Sequence, residues 1–150
     1  MKKMRRGNIF ILALIIIMSG CTDITRTKTY FMPPTALGME EVAPEVFVNK
    51  EMSFLQRSEF LRAVTEAKIK ITNFYGGTIS EPQILACSTE ECFVGIGGRQ
   101  QRGLHLGKSK ILLSPRGLTI PILTHEWSHA ELCTRMDAGM DGVFGIPSIP

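Results

Sequence analysis

Two histidines and a glutamate in the segment THEWSH, residues 124–129, have the types and the spacing of a metal-dependent hydrolase motif. If this segment is helical, His125 and His129 lie about 40° apart on one face, because each residue advances the helix by about 100°. Both imidazoles can then bind one zinc ion at roughly 2.0–2.1 Å. Glu126 lies beside the ion, where its carboxylate could take a proton from a water molecule held there. The predicted chemistry is therefore zinc-dependent hydrolysis.

A helix over residues 120–136 is predicted to position these groups. Thr119 is a candidate N-cap, Pro121 falls in the first turn, where its missing N–H costs nothing, and Gly139 is the predicted C-terminal stop. Uncharged residues flank the motif, as expected for a helix buried beneath a cleft. H-E-x-x-H fixes only three of five positions, so a coincidental match on an amphipathic helix is the competing interpretation.

A third protein ligand for the zinc is not evident from the sequence. No glutamate follows Glu131 and no histidine follows His129, whereas catalytic zinc sites typically take three protein ligands. The substitutes are Asp137, Asp141 and Cys133. Both aspartates lie beside glycines typical of turns, and the cysteine is typical of a small buried apolar side chain. We therefore expect weak zinc binding and poor hydrolysis, with an exposed apolar patch on the motif helix.

The N-terminus has the layout of a bacterial lipoprotein signal. Residues 1–20 begin with four basic side chains and continue into an apolar run too short to span a bilayer comfortably. The run ends in Met18-Ser19-Gly20-Cys21, which resembles a lipobox, so Cys21 is the predicted lipidation site and membrane attachment point. By the same resemblance, Thr22 indicates an outer-membrane address facing the periplasm. An uncleaved anchor and a plain secretory signal are the alternatives.

The charge of the chain is concentrated in this signal. Four of the 17 basic residues lie in the first 20 positions, so the remaining 130 residues carry 13 basic and 14 acidic side chains. This near-neutral balance gives no reason to expect nucleic acid or an anionic membrane surface as a partner. The length suffices for one domain.

We predict three segments: the signal peptide at residues 1–20, the lipidated cysteine and a flexible tether at residues 21–47, and one metallopeptidase-like domain at residues 48–150. The tether is predicted because residues 22–44 are polar, contain three prolines and show no sustained apolar period.

Within the domain, the pattern predicts an α+β fold with a long helix, a small antiparallel sheet and then the motif helix. Residues 49–74 have apolar side chains at helical spacing, with Ser53 and Gln56 as a capping box and Gly76-Gly77 as the stop. Residues 83–113 change to short apolar pieces separated by glycine and charge, which is typical of strands. The four pieces are Ile84–Cys87, Cys92–Gly95, Leu104–Leu106 and Ile111–Leu113.

Three cysteines remain once Cys21 is lipidated. Cys87 and Cys92 flank a short polar stretch between two apolar pieces, the layout of a hairpin whose arms a disulfide could join. A metal site is the alternative interpretation, although a single C-x4-C pair is weak evidence for zinc. One of the three cysteines then stays unpaired or pairs between chains.

Basic residues around the last two apolar pieces are predicted to lie at a solvated hairpin tip. They are Arg99, Arg102, Lys108 and Lys110. Gly107-Lys108-Ser109 does not complete a phosphate-binding loop, because the required glycine is replaced by Arg102. His105, between two leucines, is predicted to be a strand-face histidine and not a ligand.

Several of these segments together resemble a group of bacterial envelope proteins of the gluzincin type. They are Cys87, Cys92-Phe93, Gly97-Gly98, Leu113–Gly117 and His125–Leu132. The likeness covers roughly residues 50–148 and implies that His125 and His129 bind zinc and that Glu126 is the general base of peptide hydrolysis. In those proteins the third ligand is a glutamate in a later Trp-Phe-x-Glu-Gly motif, introduced by an Ile-Pro pair. Here Ile146-Pro147 reaches that point just before Pro150, so a C-terminally incomplete zincin-like fold is expected.

Two classes of function are therefore predicted. The first is an envelope zinc metallopeptidase in which an extended peptide or protein substrate lies along a sheet edge. The second is a non-catalytic, shortened lipoprotein with a binding or structural role. Zinc content of the purified protein discriminates between them.

Overall fold

The computed structural model describes the backbone of residues 24–144 and the side chains of residues 24–137. The helices are α1 at residues 24–31, α2 at Phe54–Tyr75, α3 at Glu90–Gly95 and α4 at Ile120–Phe144, with short 3-10 helices at Pro34–Leu37 and Pro115–Gly117. The strands are β1 at Met39–Ala43, β2 at Val46–Asn49, β3 at Gln83–Ala86, β4 at Gly103–Leu106 and β5 at Lys110–Leu113. The fold is α+β, as predicted. The expected signal peptide and Cys21 lie outside the described residues.

The five strands form one mixed sheet in the order β1-β2-β3-β5-β4. The central pairs β2–β3 and β3–β5 are parallel, with Ile84 opposite Val46 on one side and Ile111 on the other, and the two outer pairs are antiparallel. The prediction of a purely antiparallel sheet is therefore wrong. Parallel neighbours need a long crossover, and α2 supplies it between β2 and β3.

Alternate residues of the central strands pack into two apolar layers. Ile84 and Ala86 of β3 point toward α2 and α4, where they meet Phe60 and Leu123. Leu85 points to the other face and packs with residues that include Phe93 of α3. The central strands are thus buried on both faces, which explains why their sequences are continuous apolar runs and do not alternate with polar residues.

Helix α2 begins and ends where the sequence predicts. Ser53 is the N-cap and accepts a hydrogen bond from the backbone N–H of Gln56, whose side chain accepts one from the N–H of Ser53. Gly76 closes the helix in the left-handed conformation, with its N–H bonded to the carbonyl of Thr72. The capping box and the glycine stop are confirmed.

The tether prediction is wrong for residues 24–47. These residues form α1, a 3-10 helix and two strands, and β2 is buried between β1 and β3. The prolines that suggested a linker occupy positions that proline tolerates: Pro34 opens the 3-10 helix, and Pro44 lies in the turn joining β1 to β2.

Lys110 anchors α1 to the sheet. Its ammonium group donates hydrogen bonds to the carbonyls of Thr29, at 2.7 Å, and Met32 at the end of α1. Only 5% of Lys110 is exposed, and this burial lowers the pKa of its ammonium group. The predicted solvated position is therefore wrong for Lys110, whereas Lys108 lies at the exposed hairpin tip.

The Cys87–Cys92 disulfide is confirmed, with Cα atoms 5.6 Å apart. It does not join two hairpin arms, because the predicted strand Cys92–Gly95 belongs to α3. Thr89 caps this helix by accepting a hydrogen bond from the N–H of Cys92, and two glutamates in the first turn favour the helix dipole. The bridge therefore links the end of β3 to α3.

Helix α4 is longer than predicted. It begins at Ile120 with Pro121 in the first turn, as expected, but continues for 25 residues to Phe144. Gly139 is not a stop, and the aspartates predicted as turn residues, Asp137 and Asp141, lie within the helix. Each glycine costs a helix only about 1 kcal/mol relative to alanine, and α4 continues through two of them, Gly139 and Gly142. In the described part of the chain, every helix is too short or too polar to cross a bilayer.

Candidate metal centre

The motif residues lie where α4 packs against α2 and the edge strand β4. Leu123, Trp127 and Ala130 recur at helical spacing and are buried in the core. His125 is exposed and His129 is half-buried. The helix thus buries one side in the core and leaves both histidines on the side that solvent can reach.

The two motif histidines stand close enough to share a metal ion. Their Nε2 atoms are 3.2 Å apart, and the rings are perpendicular with centroids separated by 4.7 Å. Two nitrogen ligands of a tetrahedral zinc, each at ~2.0–2.1 Å, are separated by about 3.3–3.4 Å. The separation is therefore compatible with two ligand positions of one ion, and zinc binding by the pair stays a prediction.

Burial lowers the pKa of His129, and the neighbouring His105 and His125 lower it further, while Glu126 acts in the opposite direction. A lowered pKa favours the neutral imidazole, which is the form that binds metal ions.

Glu126 is enclosed between α4 and β4, with only 8% of the residue exposed. Gly103 of β4 makes this approach possible. A Cβ atom at position 103 would lie 2.7 Å from Cγ of Glu126 and 3.1 Å from a methyl group of Ile122. Strand and helix are thus in contact at the carboxylate, which restricts its orientation.

His105 of β4 joins this group, and the sequence interpretation did not foresee it. Its Nδ1 lies 3.3 Å from Oε2 of Glu126, and its ring stacks on that of His129 with centroids 4.4 Å apart and planes 17° from parallel. All three histidines of the chain therefore meet at one place. The strand-face position was predicted correctly. The alternation of Gly103 and His105 with two leucines was the available signal, but nothing local indicated that this face meets α4.

Of the weaker ligand candidates, the described side chains of Asp137 and Cys133 do not form a set of metal ligands with the histidines. Asp137 forms an ion pair with Lys108, with Nζ 2.9 Å from Oδ2. Cys133 is a free, partly buried thiol one turn after His129, and the side chain of Asp141 lies outside the described part. Among the described side chains, no set of three or more histidine, cysteine or carboxylate groups stands ready to hold a metal ion.

No protein-family model, curated protein or solved structure matches the chain. The gluzincin resemblance stays a prediction, carried by the motif residues.

The hydrogen bonds of Glu131 explain why an acidic residue occurs on the buried side of α4. Its carboxylate accepts hydrogen bonds from the backbone N–H groups of Ile79 and Ser80, from the Ser80 hydroxyl and from Arg135. Burial alone would raise the pKa of Glu131, but these hydrogen bonds together lower it. Trp127 also donates to the Ser80 hydroxyl. The side chains of Glu131 and Trp127 therefore hold the segment between α2 and β3, residues 76–82, against α4.

Proposed function

We propose that this chain is a zinc-dependent peptide hydrolase of the bacterial envelope, with His125 and His129 as metal ligands and Glu126 as the general base. The observation that carries the proposal is the 3.2 Å separation of the two Nε2 atoms beside a carboxylate held against an edge strand. When bound there, zinc would polarise a scissile carbonyl and lower the pKa of water.

The role of Glu126 follows from its surroundings. Its Oε2 lies 3.3 Å from Nδ1 of His105, which restricts the orientation of the carboxylate, and its second oxygen would take a proton from water attacking a peptide carbonyl. The same group then returns the proton to the leaving amide nitrogen. Holding the base in one orientation reduces the entropy lost in reaching the reactive geometry.

The edge position of β4 supports a peptide as the substrate. In the described sheet, β4 pairs with β5 on one side only, so its other side presents backbone N–H and C=O groups. An extended peptide could pair with these groups as an added strand and pass the histidines. Surface clefts of about 570 and 620 Å³ lie elsewhere and include none of these histidines. A peptide paired along the edge strand does not require a deep pocket.

The arrangement of the long helix α2, the mixed sheet and the motif helix beside an edge strand supports a zincin-like fold as part of the same proposal. The disulfide between Cys87 and Cys92 supports an oxidising location, as an envelope protein anchored by lipid at Cys21 would have.

Hydrolysis by the wild type and by the Glu126→Gln variant tests the mechanism. The amide is no base but leaves both imidazoles in place, so we expect the variant to keep its zinc and lose peptide cleavage. His125→Ala should lose zinc and activity together. Equal cleavage rates in wild type and Glu126→Gln would rule out this mechanism.

A non-catalytic binding role is the second candidate, and the exposed apolar side chains of α4 favour it. Leu132 and Met136 are 48% and 60% exposed and follow His129 on the same side of the helix. Apolar side chains grouped in this way can contact a partner. Purified protein that contains no zinc and binds none would favour this role over hydrolysis.

A further inference from the structure

The proposed metal site has two ligands on α4 and needs another. A catalytic zinc usually takes three protein ligands and keeps one position open. Asp137 is engaged by Lys108 at 2.9 Å. The side chain that does lie against the histidine pair is His105, which comes from a different element of the fold.

We propose that His105 is the third zinc ligand, so that the site consists of three imidazoles from β4 and α4; this inference rests on the proposed function. The centroid of the His105 ring lies 4.4 Å from that of His129, and the centroid of the His125 ring lies 4.7 Å from that of His129. Imidazoles that share one tetrahedral zinc at ~2.0–2.1 Å have centroids roughly 5 Å apart. His129 therefore has an imidazole neighbour on each of two sides at about the spacing that ligands of one ion have, although the ring nitrogens do not converge in the described arrangement.

The contact between His105 and Glu126 prepares the ring for this role. Histidines that bind metals commonly donate the N–H of their other ring nitrogen to a carboxylate, which fixes the tautomer and the ring orientation. Nδ1 of His105 lies 3.3 Å from Oε2 of Glu126. A proton on Nδ1 leaves Nε2 with the free lone pair that a metal ion needs.

The described arrangement becomes a site with three ligands only if the His105 ring rotates. Because its ring is within 17° of parallel to that of His129, the nitrogens of the two rings point side by side and not at one point. Rotation about the Cβ–Cγ bond is needed to direct Nε2 toward the ion, and the side chain of Glu126 has to turn with the ring to keep its contact with Nδ1. The side chain is 33% exposed and lies on an edge strand, so part of the ring is not enclosed by packing.

Two contacts hold β4 where His105 can reach the pair. Gly103, two residues before His105 and on the same face of the strand, packs directly against Glu126. Beyond the strand, Lys108 at the hairpin tip forms its ion pair with Asp137 of α4. The strand is thus attached to α4 on both sides of His105.

Zinc affinity of the full chain in detergent, measured by competition with a chelator, tests the inference. His105→Ala should weaken binding by more than the roughly 10- to 100-fold typical of changes outside the ligand shell. Lys108→Ala is the comparison for hairpin placement, because it removes the ion pair to α4 and keeps all three imidazoles, and its loss of affinity should be clearly smaller than that of His105→Ala. Cobalt substituted for zinc reports the ligands directly: the visible spectrum should change in His105→Ala and not in Lys108→Ala.

The outcomes separate this inference from the proposed function. If His125→Ala loses zinc while His105→Ala binds it like the wild type, with an unchanged cobalt spectrum, His105 is not a ligand and the two-histidine site remains. If His105→Ala and Lys108→Ala weaken binding equally, the effect comes from hairpin placement and the inference is also wrong. If the wild type binds no zinc at all, the proposed function fails, and the inference fails with it.

Discussion

Gly103 of β4 and Glu126 of α4 approach so closely that a Cβ atom at position 103 would lie 2.7 Å from Cγ of Glu126. The absence of a side chain on the strand is therefore what lets the carboxylate stand between the strand and the helix. His105 follows two residues later on the same face, and the same approach brings it onto His129. Gly103 and His105 of one edge strand thus bring β4 into contact with Glu126 and His129 of the candidate site.

Gly103→Ala should push β4 away from α4. We expect a loss of about 1–3 kcal/mol in the free energy of unfolding, as for other overpacked contacts, together with weaker zinc binding. Gly95→Ala is the matched control, because a Cβ atom there meets no atom within 4 Å. Denaturant unfolding and chelator competition measure both effects. If Gly103→Ala and Gly95→Ala have the same free energy of unfolding and the same zinc affinity, the close approach of Gly103 to Glu126 has no energetic role.

The sequence predicted the parts of this structure that depend on neighbouring residues. The capping box of α2, its glycine stop, the start of α4 and the spacing of His125 and His129 all follow from local rules. The strand order and its parallel pairs do not, because they depend on which distant segments come to lie side by side. His105 was missed for the same reason, since it lies 20 positions before His125 and only the sheet order places it beside α4.

Residues 24–47 illustrate a second limit. Their polar composition and prolines favour a linker, yet Lys110, far along the chain, fixes α1 by bonding to the carbonyls of Thr29 and Met32. The composition of a segment indicates whether it would be structured on its own. It does not identify the distant residue that holds the segment in place, which here is Lys110.

The pH dependence of stability should report the burial of Lys110. Because its pKa in the folded chain lies below the ordinary value of 10.5, the folded chain releases this proton at lower pH than the unfolded chain does. Between these two pKa values the unfolded state binds more protons, so the contribution of Lys110 to the free energy of unfolding rises with pH. Lys110→Met should remove this rise, whereas Lys108→Met, at the exposed tip, should keep it. Denaturant titrations from neutral to alkaline pH measure the difference, and parallel curves for the wild type and Lys110→Met would contradict the assignment.

The lipoprotein prediction depends on one sulfur atom, that of Cys21. Cys21→Ala should leave the protein unlipidated, because the thioether to diacylglycerol forms at that side chain, and we expect the variant to lose palmitate labelling and fractionation with membranes. Cys133→Ser is the control, since it removes a thiol without affecting the signal and should be labelled like the wild type. Labelling of Cys21→Ala at the wild-type level would rule out the lipoprotein prediction.

Glu131 should matter for stability, independently of any metal. Glu131→Ala leaves the buried backbone N–H of Ser80 and the part-buried N–H of Ile79 without their acceptor and removes one of the partners of Arg135. An unsatisfied buried group costs about 1–3 kcal/mol, so we expect a loss of at least that size in the free energy of unfolding. Glu59→Ala, on the exposed surface of α2, should change stability by no more than about 0.5 kcal/mol. Hydrogen exchange provides a second measurement: the amides of Ile79 and Ser80 should lose protection in Glu131→Ala first, because the carboxylate is their acceptor. If those amides stay protected and both variants unfold at the wild-type denaturant concentration, the segment between α2 and β3 is held by contacts other than Glu131.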